Sequence, residues 1–234
     1  MEHPTRLHIA AVICLGLYLA AQILQLILVR GFLPQPQGAE QEMLARLAPG
    51  ETLRAVVMLL SHFCLVPVYV ALAMRRWRIA PGAAACGALF GMTFVLFELS
   101  YRTLDLFLVS HGWAAAYATA DAAARAALIE RTALWEQAVG AWYFGLLAAH
   151  LLASLCFLAA FRRREPGAWD LLAQLAFAIN ALRLTGRMLG GWAGIDWLAP
   201  LSGRFYFPPM ATFLVLLTVW LARQVVLHRR TAAS

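Results

Sequence analysis

The chain has 234 residues, of which 62% are hydrophobic and 13% charged. An ordinary soluble domain is about a quarter charged, so this composition excludes one and points to an integral membrane protein. The formal net charge of +7 comes from nineteen arginines without a lysine, gathered in short runs between apolar segments, which argues against a nucleic-acid partner.

No strand-period alternation runs between turns, so the predicted fold is all-α: a polytopic bundle of six transmembrane helices forming one domain over residues 1–234. The spans are predicted at about 9–29, 53–74, 81–109, 139–161, 171–191 and 207–227. Each is long enough to cross a hydrocarbon core about 30 Å thick. The first is too long for a signal-peptide core and no small-residue cleavage site follows, so it reads as a retained helix. Residues 39–47, with Met43, Leu44 and Leu47 on one face, predict a short interfacial helix. The stretch 119–137 is helix-forming throughout and either extends the fourth span or lies flat before it. Pro34, Pro36, Pro49 and Pro81 mark boundaries, and Pro208 with Pro209 opens the last helix. Without an internal repeat, an inverted-repeat transporter is disfavoured.

The arginine runs set the orientation. Arg6, the group Arg75, Arg76 and Arg78, the group Arg162, Arg163 and Arg164, and the pair Arg229 and Arg230 all fall on one side of a six-span chain. The other connections balance their charges: Arg30, Arg46 and Arg54 against Glu40, Glu42 and Glu51, then Arg125 and Arg131 against Asp121, Glu130 and Glu136. By the positive-inside rule both termini are cytoplasmic, and the runs touch anionic lipid headgroups. Arginine without lysine in an Ala-rich chain suggests a GC-rich bacterial genome, hence the bacterial inner membrane. Cys14, Cys64, Cys86 and Cys156 form no CxxC pair and read as apolar packing residues. His3, His8, His111 and His228 fall at interfaces.

Function is to be sought where charge enters the spans. Glu98, Arg102, Asp105, Arg183 and Arg187 each cost roughly 2.5 to 3.5 kcal/mol at the centre of a spanning helix, so they must pair or line a wet cavity. Glu98, Arg102 and Asp105 share a helix face at i, i+4 and i+3 spacing, so that Arg102 can bridge both carboxylates beside Tyr101. Asn180, Arg183 and Arg187 form a second stripe. By depth, these groups, His62, His150, Trp142, Tyr143, Gln22 and Gln25 gather in the outer half, which predicts a polar cavity or network there. The five charges sum to +1. The excess falls to Arg187, reaching headgroups, or to Arg183, receiving an anionic ligand. His62, His150 and Glu98 lack metal-ligand spacing on any one helix, and no nucleophile motif or phosphate loop is present, so no metal or other cofactor is assigned.

Leu53 with Arg54, the polar cluster from Phe97 to Asp105, and the run Trp142, Tyr143, Phe144, Gly145, Leu146 resemble an uncharacterised family of bacterial multipass membrane proteins known only as a domain of unknown function. The chain departs from that pattern in the loop from Arg162 to Gly167. The resemblance implies a fold and a bacterial membrane location, with no activity to carry over.

Three function classes follow. The first binds or moves a small amphipathic or anionic molecule, with Arg102, Arg183, Arg187, Asn180, Tyr101, Tyr143 and His62 as contacts. The second is an intramembrane isomerase or cyclase acting on a lipid-soluble substrate, with Glu98 as general acid or base and Asp105 and His150 as further catalytic groups. The third is a structural or assembly subunit whose polar network only specifies packing.

Overall fold

The computed structural model describes residues 3–33, 35–162, 169–201 and 206–233. Pro34, Arg163, Arg164 and the rest of the loop through 168 lie outside the described residues, and of Arg229 and Arg230 only the backbone is described. All the regular structure among the described residues is helical: α1 (His3–Gly31), α2 (Ala39–Ala45), α3 (Pro49–Phe63), α4 (Leu65–Arg76), α5 (Pro81–Leu104), a π-helical stretch (Asp105–Ala114), α6 (Ala115–Thr119), α7 (Ala122–Arg162), α8 (Asp170–Trp192), a 3-10 turn (Asp196–Leu201) and α9 (Phe207–Ala233).

The boundaries have local causes. Gly38, at φ 118°, holds a conformation that side chains avoid and turns the chain into α2. Pro49 and Pro81 open their helices, where a missing N–H costs nothing. Pro67 cannot donate to the carbonyl of Phe63 and crowds it, so the predicted second span is broken at Cys64 into α3 and α4. Asp121 caps α7, accepting from the Ala124 amide at 2.8 Å. Gly194, at φ 66°, ends α8 while the amides of Ala193 and Ile195 both return to the Leu189 carbonyl.

Five helical stretches are long and apolar enough to cross a membrane: Arg6–Gly31, Pro49–Arg76, Pro81–Thr119, Ala122–Arg162 and Phe207–Leu227. The fifth predicted span, α8, is 23 residues long but falls outside this set. Asp170, Gln174, Asn180, Arg183 and Arg187 are the polar residues that lower its hydropathy. Residues 122–137 extend the fourth span without a break.

The chain forms two compact units. The first comprises Met1–Leu19, Cys64–Val95 and Leu146–Ser234. Its core is an aromatic stack from three helices: Phe157 lies 5.3 Å from Phe177, Phe161 5.0 Å from Trp220, and Phe177 5.7 Å from Phe213. Gly87 and Gly91, four residues apart on α5, leave room for the rings of Phe157 and Tyr69. A Cβ at Gly91 would come within 2.6 Å of Tyr69, so this is close packing of the small-xxx-small kind. Arg76 departs from its expected place among headgroups. It is buried, paired with Asp170, and stacked 4.1 Å from the Phe161 ring centre. His8, expected at an interface, is also buried.

The second unit comprises Ala20–Phe63 and Leu96–Gly145. The short helix α2 inserts Met43 into a small core with Ala114, Tyr117 and Leu128. Thr132 bonds the Leu128 carbonyl and meets the Met43 sulfur at 3.3 Å. Trp142 donates to the Phe97 carbonyl at 3.2 Å, tying α7 to α5 within this unit.

Candidate functional site

In the first unit, α8 turns its polar stripe inward. Asn180 is 0% exposed and Arg183 4%. The Asn180 Oδ1 accepts from Arg183 Nε at 3.1 Å and Nη2 at 2.8 Å. Since a guanidinium only donates, this fixes the amide orientation and directs Nδ2 the other way. There it donates to Ser154 Oγ at 2.8 Å and to His150 Nε2 at 3.0 Å. An amide nitrogen only donates, so in this orientation His150 Nε2 is the acceptor. Its ring stacks on Phe94 at 4.1 Å, and the Ser154 hydroxyl donates to its carbonyl.

Arg183 is under-compensated. Its guanidinium lies 4.6 Å from the centre of the Tyr206 ring, and Arg187 lies at the same distance from that ring. Among the described residues no carboxylate reaches Arg183 within ion-pair distance, and its Nη1 is buried without a hydrogen-bond partner. A cation–π contact is worth about 0.5–2 kcal/mol, and a hydrogen bond from a charged group about 1.5–3. Desolvating a guanidinium costs several kcal/mol before any pairing. An anion placed here would meet one arginine with an open donor, held by the Asn180 amide oxygen, and a second arginine on the same aromatic ring.

In the second unit, Glu98 is 7% exposed and His62 1%. Arg102 Nε bonds Glu98 Oε2 at 2.8 Å, and His62 Nε2 faces the same oxygen at 3.6 Å. His62 Nδ1 lies 2.6 Å from the Met58 carbonyl. Tyr101 and Tyr143 meet edge to face at 5.3 Å. The expected bridge from Arg102 to both carboxylates is replaced. Asp105 begins the π-helical stretch, where the widened turn leaves the α-helical register, and it pairs instead with Arg46 at 3.1 Å. Arg46 also reaches Glu42 at 3.2 Å and Glu136 at 3.7 Å. Burial opposes its charge, but Asp105 and Glu42 outweigh that and raise its pKa above the ordinary arginine value.

Of the residues singled out from sequence, His62, Glu98, Tyr101, Arg102, Asp105 and Tyr143 belong to the second unit, and His150, Asn180, Arg183 and Arg187 to the first. Gln22, also placed in the outer half, bonds the Met58 sulfur at 3.8 Å in the second unit. Among the described residues no group of three or more His, Cys, Asp or Glu side chains is placed to hold a metal. Sequence reasoning missed Tyr206, Ser154 and Arg46. Tyr206 carried one signal, an aromatic beside Pro208 and Pro209 at a helix start. Arg46 carried none, because its loop was balanced in charge. No family model, curated protein or solved structure matches the chain, so the resemblance drawn from its motifs rests on those motifs alone.

Proposed function

We propose that the protein is a six-span protein of the bacterial inner membrane, with both termini cytoplasmic, that binds or moves a small anionic amphipathic molecule. The anionic group is received by Arg183 and Arg187. The observation that carries this reading is the buried Arg183 guanidinium, which has an unpartnered Nη1 and no carboxylate among the described residues. Arg187 shares the Tyr206 ring with Arg183.

The span that completes the six is α8, fifth in chain order. Its polar residues Asn180 and Arg183 are buried, while Leu171, Leu175, Leu182 and Leu189 are exposed along one stripe, the face a spanning helix offers to lipid. Six spans also place every arginine run on one side, in keeping with the positive-inside rule.

Native mass spectrometry of the purified protein in mild detergent tests the ligand. Wild type should carry an anionic adduct that Arg183→Ala loses while staying folded, and the released mass would separate a lipid from a soluble anion. A folded wild type without an adduct, unresponsive to added anionic lipid, would count against the reading.

A further inference from the structure

The second unit holds a buried acid–base pair that the anion site does not use. A carbonyl oxygen only accepts, so the His62 Nδ1 at 2.6 Å from the Met58 carbonyl must carry a proton. That leaves Nε2 as the atom that gains or loses one. It faces Glu98 Oε2 at 3.6 Å, where two lone pairs oppose each other unless a proton lies between them. Around His62 stand Glu98 and the Met58 carbonyl, with Arg102 bonded to the same Glu98 oxygen that Nε2 faces. Those meeting Glu98 are His62 and Arg102, with Tyr101 within electrostatic reach.

Further carboxylates lead away from this pair toward water. The side chains of Glu136 and Glu42 are 52% and 41% exposed, that of Asp105 20% and that of Glu98 9%. Asp105 lies seven residues beyond Glu98, about 10 Å along the axis. Tyr101 interacts electrostatically with both, and with Arg46 and Arg102. Two arginines against four carboxylates leave this set with a net negative charge, which favours cation uptake.

We propose that His62 and Glu98 hold one exchangeable proton between Nε2 and Oε2, supplied from water through Glu42, Glu136, Asp105 and Tyr101. The step moves a proton from water to the pair and breaks no other bond. With neutral His62 the triad of His62, Glu98 and Arg102 has no net charge, and with the proton it carries one positive charge.

Histidine-selective nitrogen NMR of the labelled protein in lipid nanodiscs tests this, with the His62 signal assigned through His62→Gln. His62 should be the Nδ1–H tautomer at high pH and become doubly protonated as pH falls. Glu98→Gln should weaken proton binding about tenfold or more, and Asp105→Asn should slow proton exchange at His62 without unfolding the protein. If Glu98→Gln fails to fold, Arg102→Gln reads the same coupling by strengthening proton binding. A wild-type His62 that keeps one protonation state from acid to alkaline pH would overturn the proposal. So would a midpoint that the folded variants leave unmoved.

Discussion

Asp105 forms its ion pair with Arg46, 59 residues earlier in the chain, at 3.1 Å. A carboxylate at the end of a predicted span is thereby held by an arginine just past the short helix α2, and α2 is fixed to the start of the π-helical stretch. Met43, from the same short helix, fills the core beside Tyr117 and Leu128. Polar and apolar anchoring act on one seven-residue element, which is too short to be stable alone.

Arg46→Ala removes the polar anchor and leaves Asp105 half-buried without its ion-pair partner. The expected loss is about 1–2 kcal/mol, modest because the pair is partly solvated. Arg46→Lys should recover about half, since it keeps the charge but not the fork that reaches two carboxylates. Thermal unfolding in detergent reads the loss, and faster proteolysis within residues 35–48 would locate it. The raised pKa of Arg46 sets the pH behaviour. Its contribution is complete below the ordinary arginine value and is lost only as pH rises past the still higher folded value. Any pH sensitivity of this anchor between pH 4 and 9 must therefore come from its carboxylates.

Asn180→Asp tests whether Arg183 lacks an anion. The new carboxylate would sit where the amide oxygen now accepts from Nε and Nη2, giving the guanidinium a partner of its own. Ligand binding should weaken at least about tenfold. The other carboxylate oxygen would face His150 Nε2 and favour a proton there, a change of protonation state that histidine NMR detects. Unchanged binding in a folded Asn180→Asp protein would show that Arg183 does not receive the ligand.

The helices were legible because apolar runs and proline boundaries are local properties of the chain. The break at Cys64 was legible in principle, since Pro67 was visible, but an apolar run on both sides hid it. The pairing of charges was less legible. Helical spacing put Asp105 within reach of Arg102, yet spacing assumes an α-helical register that ends at Leu104. Arg76 misled for a different reason: an arginine run reads as solvated, and only packing reveals Asp170 and Phe161 around it. Asn180 and Arg183 were found because a polar residue in an apolar helix stands out in sequence. Tyr206, their neighbour from another segment, did not.

Gly91→Leu should destabilise the first unit. Even a Cβ there falls 2.6 Å from the Tyr69 ring, and the ring is held from behind by its stacking on Phe157. Overpacking of this kind costs about 1–3 kcal/mol. Gly82→Ala is the control, because a Cβ at Gly82 meets nothing within 4 Å and alanine is the better helix former. The melting temperature of the detergent-solubilised protein should fall for the first variant and hold or rise for the second. Equal shifts would mean that Gly91 has no special packing role.

The membrane role of α8 gives the clearest topological test. If α8 spans, the count is six and the two ends of the chain lie on the same side; if it does not, the count is five and they lie on opposite sides. Epitope tags fused ahead of residue 1 and after residue 234 should both be protected from protease in intact spheroplasts and both be cleaved after lysis. A tag inserted between Ala120 and Asp121, at the connection before α7, should be cleaved in the intact cells. Protection of only one terminal tag would remove α8 from the set of spans. Arg183 and Arg187 would then lie on a helix outside the hydrocarbon core, where water lowers the cost of an unpaired guanidinium and no anionic ligand is needed to offset it.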